Sequence, residues 1–260
     1  METLEKTLTE SRRTTRSDFF TIMAGVVLLL VVAGFVPTLY LRSLFVVPPI
    51  PAYLYGHGII LTSWFVWFLG QSLLIRAGQV RRHRQFGALG AGFGAVVVVG
   101  GLMASLGVAS RVASRGIDFD ADASVLGIGV KGLTVTAFLS NVVCSNIGSL
   151  LSFATFLVAA MVLRRRPQAH KRLMLLASIS IIGPALARIS RLQVFGGEQG
   201  PFIPVVFWGL VLALAVHDLI SRRRLHPSTV LGALLLVLIG YGVGIVSRSE
   251  AAQVMIRQLR

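Results

Sequence analysis

Four of the five histidines in this chain lie at or near arginine-rich turns, and histidine is the residue type here that is best suited to chemistry. Imidazole nitrogens ligate copper, zinc and haem iron, and a nearby carboxylate can orient a ligating ring through its second nitrogen. Asp218 directly follows one of these histidines. We therefore predict a metal or haem site in which Asp218 orients a ligating histidine through a hydrogen bond. The sequence does not decide whether haem, copper or zinc is bound. The predicted ligands are His217, His83, His170 and His226.

The same residues also suit simpler roles, and the sequence leaves both interpretations open. Histidines in basic turns can cap helix ends or contact lipid phosphates. An ionisable group inside an apolar segment is costly and usually has a function or a partner. For Asp218 that partner would be a buried arginine, such as Arg172.

A second polar site is predicted from residues at the other end of the apolar segments. His57 opens one of these segments and Arg188 follows Pro184 by one helical turn. A cation there could bind a quinone carbonyl, a propionate or a lipid phosphate.

A third feature is a stripe of polar residues spaced in steps of four, which places them on one face of a helix. Its members are Asn141, Ser145 and Ser149. In a small-solute transporter this stripe would line the path of the solute.

Apolar segments make up most of the chain and must position these residues. Of 260 residues 55% are hydrophobic and 13% charged, with a mean hydropathy of +0.79, which indicates an integral membrane protein. We predict an all-α bundle of about seven transmembrane helices within residues 19–247. A polar tail, 1–18, precedes it and a C-terminal tail, 248–260, follows it. The predicted spans are 19–36, 57–75, 86–106, 141–163, 173–189, 202–220 and 229–246.

The distribution of charge predicts the topology. If seven spans alternate from a cytoplasmic N-terminus, 16 of the 25 Lys and Arg residues fall on the cytoplasmic side. This asymmetry favours an N-in, C-out, multi-pass protein of the bacterial inner membrane, with the four histidines near the cytoplasmic face. The net charge of +15 is then explained by basic turns facing anionic lipid, so the predicted partner is the bilayer and not nucleic acid.

Several kinds of enzyme are excluded by the residue inventory. Asp218 is the only carboxylate inside a predicted span, so a mechanism with paired intramembrane acids is not possible. Cys144, the single cysteine, has no histidine in its own span. The alternation of Asp118, Asp120 and Asp122 lacks the glycine and the later glutamate of a calcium loop. The protein is thus more consistent with a non-catalytic role.

Six short motifs resemble those of a group of bacterial polytopic membrane proteins whose function is uncharacterised. They read R-x-D-F, G-F-x-P-T, H-G-x-x-x-T-x-W, H-R-x-x-G, H-K-R-L-M-L-L-A and R-R-R-x-H-P. They occupy Arg16–Phe19, Gly34–Thr38, His57–Trp64, His83–Gly87, His170–Ala177 and Arg222–Pro227. The chain departs from the pattern at Tyr55, where a histidine is expected.

The histidine-containing motifs are also distantly similar to membrane proteins involved in the maturation of haem–copper oxidases. That resemblance implies a metal, haem or assembly role and a respiratory complex as partner. The leading hypothesis is a non-catalytic metal- or haem-binding protein that assists assembly of a respiratory oxidase. The alternatives are a haem–quinone oxidoreductase of the b-type cytochrome kind and a small-solute transporter.

Overall fold

The computed structural model describes residues 2–45, 49–192 and 201–260, with side chains from residue 18 onward. Within these ranges the chain is helical, without a β-strand, so the predicted all-α class is confirmed. Ten α-helices are numbered here in chain order. They are α1 (Glu2–Phe35), α2 (Ala52–Arg76), α3 (Val80–Leu106), α4 (Val108–Ala113), α5 (Val135–Val162), α6 (Pro167–Ser180), α7 (Gly183–Ile189), α8 (Phe202–Arg222), α9 (Pro227–Val246) and α10 (Glu250–Gln258).

The helices are long and apolar enough to form a polytopic membrane bundle. Six segments of the described chain could each cross a bilayer on their own. The pair α6 and α7, bent by 48° at their junction, is long and apolar enough only when taken together, so the described chain holds six such segments, or seven if this pair is one span. The six are Asp18–Tyr40, Ala52–Arg76, Val80–Ala113, Val135–Val162, Phe202–Arg222 and Pro227–Val246.

Several helices begin earlier than the apolar runs on which the predicted spans were based. The second, third and fourth spans begin at Ala52, Val80 and Val135 instead of at residues 57, 86 and 141. The fourth is capped by Thr134, whose side-chain oxygen accepts a hydrogen bond from the Ala137 amide. Polar residues at the membrane surface can continue a helix without adding to an apolar run, so the apolar pattern marks only the embedded part.

Pro37 does not end the first span. The helix continues through one π-helical turn, Val36–Tyr40, in which the Leu41 amide donates to the Val36 carbonyl at 2.9 Å. A proline inside a continuing helix has no N–H to donate and its ring crowds the preceding turn, and the wider π-helical turn at this position accommodates it.

Side-chain contacts define two ends of the bundle. At the first end, here called the basic face, Arg76 of α2 forms an ion pair with Asp18 of α1, with Nε and Oδ1 3.0 Å apart. At the opposite end, here called the loop face, Ser140 of α5 donates to the Ser247 carbonyl at 2.7 Å. The amphipathic helix α10 packs on α5 at the loop face with Ile256 fully buried. Which face is cytoplasmic stays a prediction from the charge distribution.

The glycines of α3 lie opposite the largest side chains of α2. A Cβ built on Gly94 would lie 3.5 Å from the Trp64 ring, and one on Gly90 would lie 2.8 Å from Trp67 Nε1. The same antiparallel register sets Gly100 against His57 and Gly87 against Gln71, at 3.6 and 3.8 Å. Small residues here allow close packing and leave room for polar groups.

Candidate functional site

The structure brings two of the four basic-face histidines together and gives the other two different contacts. The ring centres of His83 and His170 are 6.3 Å apart, with the ring planes at 78°. In the part of the chain that the structure describes, no group of three or more His, Cys, Asp or Glu side chains is placed to hold a metal ion. The four predicted ligands therefore do not form one cluster there.

The His83–His170 pair joins the start of α3 to the start of α6. His170 Nδ1 lies 2.8 Å from the Ala160 carbonyl oxygen of α5. A carbonyl can only accept, so His170 Nδ1 carries a proton and Nε2 is the nitrogen left for another partner. Among the residues that the structure describes, His83 Nδ1 is buried and has no hydrogen-bond partner. Gln71 Oε1 is likewise buried and unpartnered.

His217 is held by aromatic packing. Its ring stacks on Phe19 of α1, with centres 4.0 Å apart and planes 5° apart, and it meets the edge of Phe20 at 5.5 Å. This contact ties α8 to the first apolar turn of α1. The sequence offered no signal for it, because the pairing depends on how α1 and α8 are rotated.

Asp218 forms the ion pair with Arg172 that the sequence left open as an alternative. Arg172 Nε donates to Asp218 Oδ1 at 2.9 Å, and the side chains are 1% and 0% exposed. Asp218 Oδ2 also accepts from Thr229 Oγ1 at 2.6 Å and from the His226 amide at 3.1 Å. Arg172 donates in addition to the carbonyl and the side-chain oxygen of Gln168. One buried network thus joins α6, α8 and α9.

His226 caps the first turn of α9. Its Nδ1 accepts a hydrogen bond from the Ser228 amide at 3.0 Å, so the ring acts as an N-cap in its neutral form. Burial lowers the pKa of His226 below its ordinary value, and the nearby positive charges of Arg172 and Arg222 lower it further.

The predicted loop-face site also gathers residues that the sequence did not single out. The charges that act on His57 are those of Arg188, on α7, and Arg111, on α4. Arg111 donates to the Tyr53 hydroxyl and, at 2.8 Å, to the Ala104 carbonyl. Tyr53 and Arg111 are 58 residues apart in the chain. Only the packing of α2 against α3 and α4 brings them together.

The polar stripe of α5 lies at the surface at its start and partly buried further on. The Asn141 side chain is exposed, and Ser145 donates to it at 3.3 Å. Ser149 is half-buried. The stripe thus begins on an outer side of the helix.

Models of known protein families, curated proteins and solved structures were compared with the chain, and none of them matches it.

Proposed function

We propose that this multi-pass membrane protein binds a haem at its basic face, with His83 and His170 as the axial ligands. The observation that carries the proposal is the 6.3 Å separation of two partly buried imidazoles on different helices. Two imidazoles that share a metal ion each place a nitrogen about 2.0–2.1 Å from it, which sets their ring centres roughly 5–6.5 Å apart. The separation in the structure lies within that range.

The state of each ring supports ligation. The Ala160 carbonyl fixes the His170 proton on Nδ1, as backbone carbonyls commonly do for ligating histidines. His83 Nδ1 has no hydrogen-bond partner although it is buried, and such an atom is costly unless something binds it. Each ring thus has a nitrogen without a competing hydrogen bond.

The number of ligands and the surrounding charge both favour haem over a bare ion. A haem takes two axial protein ligands, the number this pair offers, whereas a structural zinc ion takes four. Arg84 lies beside His83, and three arginines, Arg164–Arg166, precede the helix of His170. Positive charge repels a divalent cation and attracts the propionates of a haem.

A haem held this way would supply one-electron redox chemistry. The process that the motif resemblance implies for it is oxidase assembly.

The proposal is tested by an absorption spectrum and metal analysis of the protein purified in mild detergent from cells supplied with haem. We expect one haem per chain in the wild type, and its loss in His83→Ala and in His170→Ala. His83→Met should keep the haem with an altered spectrum, because methionine is also an axial ligand. An altered spectrum with haem retained in His83→Met would show that the loss of haem in His83→Ala comes from the missing ligand and not from misfolding.

His226→Asn is the matched control, since it removes a basic-face histidine and keeps an N-cap residue. It should bind haem as the wild type does. Absence of haem from the wild type, or haem at the wild-type level in both alanine variants, would contradict the proposal. A colourless metal lost in the same variants would replace haem with zinc or Cu(I).

A further inference from the structure

An apolar groove runs along the outer side of α5, next to α3. Its volume is about 530 Å³, within the roughly 300–1,000 Å³ of sites that bind small molecules. Its apolar lining residues are Ala91 of α3 and Leu157, Val158, Met161 and Val162 of α5. A Cβ on Gly94 would overlap the Leu157 side chain, so α3 and α5 touch at that level. Ala91 lies one turn nearer the basic face, so the groove reaches that face.

A second groove follows the other side of the same helix. Val158 and Val162 line both grooves and form a ridge between them, with exposed fractions of 62% and 74%. At roughly 3.6 residues per turn, Met161 lies on one side of this ridge and Ala159 on the other. The second groove has a volume of about 650 Å³, and its other lining residues are Ala154, Thr155, Ala159 and Leu163.

Two arginines stand at the basic-face end of the first groove. Arg164 and Arg165 belong to its lining, and both are exposed. Among the residues that the structure describes, neither side chain forms a hydrogen bond or an ion pair. Two cations at the end of an apolar groove complement a molecule that has an anionic head and an apolar tail.

The length and position of the grooves fit a phospholipid of one leaflet. From Ala154 to Leu163 a helix rises about 14 Å, and one half of the hydrocarbon core is about 15 Å thick. The arginines then lie at the level at which a lipid carries its phosphate. Guanidinium groups donate paired hydrogen bonds to phosphate oxygens, and basic residues at the membrane surface attract anionic lipids. An apolar helix of another protein would cover the ridge but would supply no anion to the arginines.

We propose that the two grooves bind one anionic phospholipid, with an acyl chain on each side of the Val158–Val162 ridge and the phosphate on Arg164 and Arg165. Such a site is saturable, unlike the general attraction of basic turns to a membrane. The proposal does not rest on haem binding, so His83→Ala should keep the lipid.

The test is native mass spectrometry of the full chain in a mild non-ionic detergent. Phosphatidylglycerol and phosphatidylcholine with the same acyl chains are titrated separately. We expect saturation at one phosphatidylglycerol per chain, with an affinity about tenfold or more above that for phosphatidylcholine, because each arginine strengthens binding of the anionic lipid.

The double variant Arg164→Gln, Arg165→Gln should reduce this preference to about twofold or less, because the remaining contacts are with the acyl chains. Its affinity for phosphatidylcholine should not change. Arg224→Gln is the matched control, since Arg224 is an exposed arginine of another basic turn and lines neither groove. It should keep the full preference.

Ala91→Phe should weaken both lipids by about fivefold or more, because the ring would fill the first groove and displace one acyl chain. Val237→Phe, at an exposed position of α9, is its control and should bind as the wild type does. Should Ala91→Phe fail to fold, the arginine variant decides the outcome, since both arginines are exposed.

The proposal is overturned if the wild type binds the two lipids equally or without saturation, or if the double arginine variant keeps the preference. A dimer of the chain that Ala91→Phe disrupts, and that retains no lipid, would also overturn it, because a second copy would then occupy the grooves.

Discussion

The bent pair of helices α6 and α7 carries two arginines in opposite situations. Arg172, on α6, is 1% exposed and is neutralised by Asp218, with Thr229 and the His226 amide filling the remaining positions on the carboxylate. Arg188, on α7, is half-buried and has an aromatic ring and a carbonyl as neighbours. Within the described residues, the pair thus holds a closed charge network at the basic face and a cation without a carboxylate partner at the loop face.

The difference separates architecture from binding. A buried cation that the chain itself neutralises fixes three helices relative to each other and has little left to offer a ligand. A cation that has no carboxylate partner among the described residues contributes less to the way those helices are fixed. The following predictions test this contrast, from the largest expected effect to the smallest.

Asp218→Asn should lower the free energy of unfolding by about 3–5 kcal/mol, because it leaves Arg172 buried without a counter-charge. Denaturant or thermal unfolding in detergent, followed by tryptophan fluorescence, measures the loss. Asp120→Asn is the control, since its ion pair with Arg257 is exposed and its removal should change stability little. An Asp218→Asn protein as stable as the wild type would remove the basis for calling this network closed.

Gly34→Ala should cost about 1–3 kcal/mol, because the added Cβ would lie 2.5 Å from the Ala185 carbonyl oxygen and the two backbones must separate. The change pushes α7, and with it Arg188, away from α1. Gly25→Ala in the same helix is the matched control, since nothing lies within 4 Å of a Cβ there. Unfolding measurements on the pair sharpen the comparison, and equal stability of the two variants would show that α7 is not held by this contact.

Arg188→Gln should leave stability within about 1 kcal/mol of the wild type. The lost cation–π contact and hydrogen bond are each worth about 1 kcal/mol or less, and removal of an uncompensated charge offsets them. The same unfolding assay applies. A loss as large as that of Asp218→Asn would mean that Arg188 is neutralised within the chain, and the contrast between the two arginines would fail.

Stability should fall slightly as pH drops below 6.5, the ordinary pKa of the His226 ring. Burial and neighbouring arginines lower the pKa of this histidine in the folded protein, so the unfolded chain binds the proton more strongly. The stabilisation that neutral His226 gives the folded protein is therefore fully present above pH 6.5. It is lost as the pH falls toward the lowered pKa of His226 in the folded protein. The measurement compares unfolding of wild type and His226→Asn across this range. An identical pH dependence in both proteins would contradict the capping role.

Part of this organisation could be predicted from the sequence, because charge and apolarity are local properties of the chain. The order of the apolar helices followed from apolar runs, and the need of Asp218 for a partner followed from its position inside one. A helix start was missed where polar residues continue a helix at the surface, as in the basic segment that follows Val80.

Which side chains meet depends on helix rotation, which a sequence pattern does not fix. His83 and His170 could be grouped with two other histidines but not singled out as the pair in contact. Gly240 and Gly244 share the four-residue spacing typical of close helix packing, but a Cβ on either would face open space. Gly232 is the glycine of α9 that packs, against Leu176 and Phe156.

The fit of α2 onto the glycines of α3 also restricts how the bundle can move. Trp67 already meets the edge of Phe86 at 6.3 Å while it lies over Gly90. If α3 slid along α2 by one turn, a tryptophan would lose its facing glycine and lie directly over Phe86 or Val98, depending on the direction. We therefore expect shear between these two helices to be sterically unfavourable. The 48° break between α6 and α7 is a position where the backbone departs from a straight helix instead.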